Sequence, residues 1–161
     1  MSDSGRTRVY LVRHAKAVER DVWTEADELR PLTKKGRRQA EGIVRVLRGA
    51  DIERIASSPF VRCVQTVRPL ALGRQVPLEL AEELAEATPL ERALAFLHAN
   101  GETPAVFCSH GDVIPAVVLA LADRGMAIEG DREWKKGSIW VLERRDGEFV
   151  RGTYVEPPVE R

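Results

Sequence analysis

Two histidines and two arginines in this sequence occupy places where their chemistry can meet. His14 follows Arg13 at the end of a short apolar run, His110 follows Ser109 at the end of another, and Arg62 lies four residues after Ser58 in a Ser-Ser-Pro segment. An imidazole changes charge near neutral pH and serves as nucleophile or proton carrier. A guanidinium grips phosphate through a planar fork of donors. These residue types together describe a phosphate pocket with an imidazole inside it. Glu82, Glu83 and Glu86 form an acidic stretch that offers a proton donor for a leaving group.

Taken singly, each piece has a plainer meaning. Arg13-His14 alone is a weak signal, and Arg62 alone reads as a surface arginine lying over apolar neighbours. Glu82 reads as a solvated turn residue. His98, near a helix C-terminus, reads as a partly charged imidazole complementing the helix dipole. The basic run from Lys34 to Arg38 reads as a solvated helix face. Cys63 and Cys108 read as small buried hydrophobes.

The elements that must position these residues follow from the apolar pattern. Residues 8–12 form a short β-branched and aromatic run, predicted as a buried strand. Thr33 is the predicted N-cap of a helix carrying Ala40, Ile43, Val44 and Leu47 and stopping at Gly49. Residues 52–56 form a second strand, after which Ser58 is the predicted N-cap and Pro59 the first helical residue of a helix ending near Gly73. Residues 77–80 form a third strand, and Thr88-Pro89 opens a helix that ends at Asn100-Gly101. Residues 104–109 form a fourth strand, followed by an apolar helix to about Ala122 that tolerates Pro115 in its first turn. Residues 138–143 and 149–155 flank Asp146-Gly147 as a hairpin. Four strand–helix alternations predict an α/β three-layer sandwich, its mostly parallel central sheet flanked by helices on both faces. In such sheets ligands bind at the carboxyl ends of the strands, which is where Arg13-His14, Arg62, Glu82 to Glu86 and His110 fall.

Composition bounds the rest. A chain of 161 residues is sized for one domain, expected to run over 1–161 with a loose tail at 156–161. Lys and Arg number 25 and so do Asp and Glu, and this neutral balance argues against a nucleic-acid binder acting through bulk charge. With 43% hydrophobic and 31% charged residues the chain is of globular type, neither disordered nor a coiled coil. Two cysteines are too few for a disulfide framework, which makes a reducing compartment the default. The N-terminal residues 1–8 are polar and basic, unlike a signal peptide, and the most apolar run, 113–122, is far short of the ~20 residues a bilayer span needs. A cytoplasmic protein with no membrane partner is expected. No cluster of carboxylate or Cys/His ligands has metal-site spacing, so no metal or other cofactor is expected.

In combination the blocks resemble a known family. Leu11-Val12-Arg13-His14-Ala15 is similar to the Arg-His signature of the histidine phosphatase superfamily, which has the phosphoglycerate mutase-like fold. Ser57-Ser58-Pro59-Phe60-Val61-Arg62-Cys63-Val64-Gln65-Thr66 resembles its second block, and Cys108-Ser109-His110-Gly111 its second-histidine block. Arg30-Pro31-Leu32-Thr33 and the residues after it, through Ala40, resemble the opening of its first long helix, and with the short length they resemble the SixA-type phosphohistidine phosphatases. Ala15 stands at a usual Gly, and Ala17 and Arg20 stand where mutase-like members carry Thr and Asn.

The resemblance implies a metal-independent phosphatase working in two displacements. Neutral His14 attacks phosphorus to form a phosphohistidine, which water hydrolyses to inorganic phosphate. Arg13, Arg62 and His110 bind the phosphoryl oxygens. Glu86 of Leu84-Ala85-Glu86 fits the family's Leu-x-Glu pattern as general acid, with Glu83 the fallback. The implied partner is a phosphorylated protein, with phosphohistidine foremost, or a small phosphorylated metabolite or nucleotide. A non-catalytic phosphate-binding module is the alternative outside enzymes. Specificity is expected from residues 18–29, with Arg20, Trp23 and Glu25, and from 132–136, with Trp134. The oligomeric state is left open.

Overall fold

The computed structural model describes residues 5–159. Its elements are β1 (Arg6–Arg13), α1 (Lys34–Val46), β2 (Arg54–Ser57), α2 (Val61–Arg74), β3 (Leu78–Leu80), α3 (Leu90–Asn100), β4 (Ala105–Ser109), α4 (Val113–Asp123), β5 (Ala127–Glu129), β6 (Ile139–Arg145) and β7 (Glu148–Val155). Two short helical turns, Asp27–Leu29 and Glu82–Leu84, precede α1 and α3.

The seven strands form one sheet in the order β3-β2-β4-β1-β6-β7-β5. Only β6 runs against the rest, pairing antiparallel with β1 on one side and β7 on the other. Side chains alternate across β1 as strand geometry requires. Val9 and Leu11 enter a core with Phe107 of β4, Leu94 of α3 and Val118 of α4, whereas Tyr10 and Val12 enter one with Val106 of β4, Ile43 of α1 and Val67 of α2. The three-layer α/β fold expected from the sequence is the one observed.

Register sets the functional edge. Arg13 pairs with Ser109 and Ser57 with Cys108, so β1, β4 and β2 end level with one another. His14, His110 and Ser58 therefore leave three neighbouring strands side by side.

Local signals mostly hold. The Thr33 hydroxyl accepts from the Gly36 N–H at 3.0 Å and caps α1. Asp146 and Gly147, at φ 51° and 84°, make the tight hairpin turn between β6 and β7.

Several expectations are corrected. Ser58 does not cap α2, which begins at Val61; the Ser58 hydroxyl accepts from the Phe60 N–H at 3.2 Å and lies 2.8 Å from His110 Nε2, drawn into the pocket by that imidazole. Helix α1 ends at Val46, with Leu47 as its C-cap, short of Gly49; α2 ends at Arg74, near Gly73 as expected, with the left-handed Gln75 (φ 56°) as its C-cap. The tail is held as far as Pro158: Glu156 pairs with Lys135 at 3.4 Å, and Pro158 packs on α1 where Gly42 leaves no room for a Cβ. Residues 160–161 lie outside the described residues, as do residues 1–4 of the polar N-terminus. The three-residue strand β5, parallel to β7, has too little apolar pattern to be read in advance. Among the described residues no helix is long and apolar enough to cross a membrane.

Candidate active site

The site begins with His14, whose backbone N–H bonds the Ser109 carbonyl across the strand ends. Ring Nδ1 lies 2.8 Å from the Ala15 carbonyl oxygen. A carbonyl only accepts, so Nδ1 carries the proton and Nε2 keeps a bare lone pair. Burial, joined by the charges of His110, Arg62 and Arg13, pushes the His14 pKa down to about 3 against the opposing pull of the Ala15 bond. The imidazole is therefore neutral throughout the physiological range, in the protonation state a nucleophile needs. Thr66 fixes the turn from the other side. Its Oγ1 accepts from the Ala15 N–H at 2.9 Å and donates to the Arg62 carbonyl at 2.7 Å.

Arg62, in the first turn of α2, is fully buried (0% exposed). A buried guanidinium needs partners. It donates through Nη1 to the Asp27 carbonyl and through Nη2 to the Asp27 carboxylate at 3.1 Å and to Glu86 Oε1 at 3.2 Å, with Phe60 beneath it. Arg20, 69% exposed, stands 3.7 Å from Asp27 and 3.6 Å from Glu86. Asp27, Arg62, Glu86 and Arg20 thus form a closed ring of alternating charge with one cation at its floor and one at its rim. Burial works to raise the Asp27 carboxyl, but bonds and charge from Arg30 and Arg62 outweigh it and hold the group below its usual range. Arg62 Nε has no hydrogen-bond partner among the described residues.

His110 is equally buried. Its Nε2 meets Ser58 Oγ at 2.8 Å and Cys63 Sγ at 3.5 Å, and its Nδ1 lies 3.8 Å from Glu86 Oε1. The ring stands edge-on to His14, centroids 5.5 Å apart, and to Phe60 at 4.8 Å. Cys63 is accordingly more than a buried hydrophobe, because its thiol is part of the wall behind His110.

Arg13 is oriented by the Trp134 carbonyl, to which Nη1 donates at 2.6 Å. Its guanidinium lies over Gly111, where an added Cβ would come within 2.6 Å of Cζ and push the arginine out of this position. Arg13 and His14 line a cleft of about 580 Å³ with Arg20, Arg30, Glu86 and Lys136.

Of the expected site residues, the structure brings together Arg13, His14, Arg62, His110 and Glu86. Glu83 does not line the cleft, and Glu82 is exposed in its turn. His98 lies away from the site, edge-on to Phe149. Burial and the nearby Arg144 and Arg124 lower its pKa, so it is a packing residue rather than a charged dipole partner. The basic residues Lys34, Lys35, Arg37 and Arg38 are exposed. Trp134 stacks on Trp140 at 5.1 Å and contributes its carbonyl, not a free ring, and Trp23 turns its N–H onto the Ala26 carbonyl.

Three residues escaped the sequence reading. Asp27 had a faint signal in its spacing from Arg30, which it pairs at 3.0 Å. Asp112 caps α4 with one carboxylate oxygen and accepts from the Ala87 N–H at 2.8 Å with the other. This holds the segment beyond Glu86, where Ala87 adopts a left-handed φ of 69°. Thr66 had no readable signal.

A parallel α/β sheet whose level strand ends carry a neutral histidine, a second histidine and two arginines has the makeup of a phosphate-handling protein. The chain belongs to the histidine phosphatase superfamily (branch 1), whose profile matches residues 9–91. It is similar to the 8-oxo-(d)GTP phosphatase of Mycolicibacterium smegmatis, 34% identical over 158 residues that cover 95% of this chain and 49% of that protein. The chain thus spans about half the length of this curated relative. Among solved structures it is similar to a SixA-named protein from Nakamurella multipartitia (TM-score 0.74, 24% identity, covering 97% of this chain and 98% of that one). It is also similar to protein histidine phosphatase SixA complexed with tungstate (TM-score 0.72, 23% identity, covering 94% and 96%). At these identities the structural likeness is one of fold.

Proposed function

We propose that this chain is a metal-independent phosphatase that passes a phosphoryl group through His14. The observation that carries this reading is the bare, neutral Nε2 of His14 beside the buried Arg62 guanidinium. Nε2 attacks phosphorus while the bond to the leaving group breaks, its electron pair departing with that group. Arg13, Arg62 and His110 take the charge spread over the phosphoryl oxygens. Glu86 protonates the leaving group, then accepts a proton from the water that cleaves the phosphohistidine. Inorganic phosphate leaves and neutral His14 returns. The cytoplasm is part of this proposal, on the strength of the two free cysteines, Cys63 and Cys108.

The substrate we propose first is a P–N bond, as in protein phosphohistidine. Its leaving imidazole has a conjugate acid of pKa near ~6.5 and needs little help from an acid. A phosphorylated nucleotide is the second reading, favoured by the 34% identity to a protein named 8-oxo-(d)GTP phosphatase. Alkaline quenching of a turnover mixture, followed by mass spectrometry, is expected to find one phosphate on His14. An adduct on His110 or Cys63 instead overturns the mechanism.

A further inference from the structure

Arg13, His14, Arg62 and His110 account for one phosphoryl group, yet the cleft holds another cation. Lys136 lines it beside Arg13, Arg20 and Arg30. No hydrogen bond or ion pair joins its ammonium to another described residue.

Lys136 is mounted firmly for a surface lysine. The Gly137 N–H is shared between the Arg13 and His14 carbonyls, both at 3.1 Å, and the Ser138 N–H bonds the Lys135 carbonyl. Gln39 Nε2 donates to the carbonyl of Lys136 itself at 3.4 Å. Gly137 is left-handed (φ 83°), and a Cβ there would crowd the Gln39 amide at 3.2 Å. The loop that carries Lys136 is therefore tied to the dipeptide that carries the nucleophile.

Most of the charges that act on the ammonium are positive. Burial first, then repulsion from Arg13, Arg30 and Lys16, pushes its pKa below the usual lysine range, with Glu19 opposing. Glu19, Glu86 and Asp112 also line the cleft, but Arg20 is engaged with Asp27 and Glu86 and Arg30 with Asp27, whereas Lys136 is paired with none of these carboxylates and is the cation left for an anion. The volume of about 580 Å³ lies within the ~300–1,000 Å³ range of whole small-molecule sites and exceeds the needs of one phosphoryl group. Among the described residues that line the cleft, His14 supplies the one ring and most of the others are charged.

We propose that Lys136 binds a second anionic group of the substrate, making the cleft a site for small organic diphosphates. The proposal rests on His14 as phosphoryl acceptor. The His14 Nε2–P bond forms to the terminal phosphorus as the bond from that phosphorus to the bridging oxygen breaks. The electron pair stays on that oxygen and so on the remaining phosphate, whose added charge faces Lys136. Water then cleaves the N–P bond. A phosphate leaving group, like imidazole, departs with little need of an acid, since its second pKa is near ~6.

The test is calorimetric titration of the purified full chain with methylenediphosphonate, a diphosphate with no bridging oxygen to cleave, and with inorganic phosphate. The wild type is expected to bind the diphosphonate about tenfold more tightly, equivalent to ~1.4 kcal/mol. Lys136→Gln is expected to erase that preference while changing phosphate affinity less than about twofold, and Lys136→Arg to restore much of it. Equal affinities in the wild type, no binding of either anion, or a preference that survives Lys136→Gln overturns the proposal. Phosphohistidine trapping from an aryl phosphate reads the His14 step separately. An adduct on His14 without a diphosphonate preference removes only the role of Lys136, whereas a preference without the adduct removes the mechanism beneath it.

Discussion

Asp27 and Arg62 are joined twice, main chain and side chain: Arg62 donates to the Asp27 carbonyl at 2.9 Å and to its carboxylate at 3.1 Å. This double attachment aims a buried guanidinium from a short turn that precedes α1, and it leaves Arg62 Nε uncommitted. Asp27→Asn keeps the carbonyl contact and loses the charge. It is expected to lower kcat/KM by about tenfold, with circular dichroism unchanged at neutral pH. The pH profile of stability is a second readout. The Asp27 carboxyl is depressed by folding, so its contribution is present above the unfolded pKa and lost as pH falls through the folded one. The variant should lose less stability than wild type on acidification below about pH 4.

Arg62→Lys preserves a buried positive charge and removes the planar fork. Transition-state stabilisation should drop by at least ~2 kcal/mol, or about 30-fold in kcat/KM, the scale for losing one pocket donor. Arg62→Ala goes further, because it removes a fully buried side chain to which Asp27 and Glu86 are bonded, and is expected to cost ~1–3 kcal/mol of stability as well. Near-wild-type turnover in the lysine variant would show that phosphate does not engage this guanidinium.

His14 enters the fold neutral, with a pKa of about 3 against 6.5 for the free side chain. A lowered pKa in the native state means the unfolded chain binds the extra proton, so stability rises with pH between those two values and is lost as pH falls from about 6.5 towards 3. Chemical denaturation across that window should show a shallower pH dependence for His14→Asn than for wild type. Parallel curves would mean that the imidazole is not desolvated as the structure has it.

Glu86→Gln separates leaving groups. Alkyl phosphates expel an alkoxide that must be protonated, whereas P–N and aryl substrates do not. The variant should lose ~10²-fold or more in kcat/KM on alkyl phosphates and much less on phosphohistidine or aryl phosphates. Strong wild-type turnover of an alkyl phosphate, abolished in the variant, would favour a metabolite phosphatase over the P–N reading.

What the sequence made legible was local or strictly periodic. The alternation that sends Val9 and Leu11 to one core and Tyr10 and Val12 to the other is written in five consecutive residues, and Thr33 announces α1 by its cap. The pocket's principal residues were legible because each directly follows a strand or opens a helix. Asp27 was not, because its partner Arg62 is remote in sequence and the turn around it has no apolar period. Ser58 was misread for a related reason. Its type suits an N-cap, and only the arrival of His110 from another strand shows where the hydroxyl is spent. His98 has the position of a dipole partner, but the burial and the two arginines that lower its pKa come from elsewhere in the fold.

The level ending of β2, β4 and β1 has a consequence for how the protein comes apart. Residues 14, 62 and 110 meet only when three strands that are distant in the chain pair in correct register. No short segment of the chain holds all the groups, and β4, the last of the three to be synthesised, sits in the middle. The pocket is therefore a product of the slow, long-range stage of folding. Catalytic competence and the global denaturation transition should rise and fall together, which makes phosphate release a sensitive gauge of nativeness in this chain.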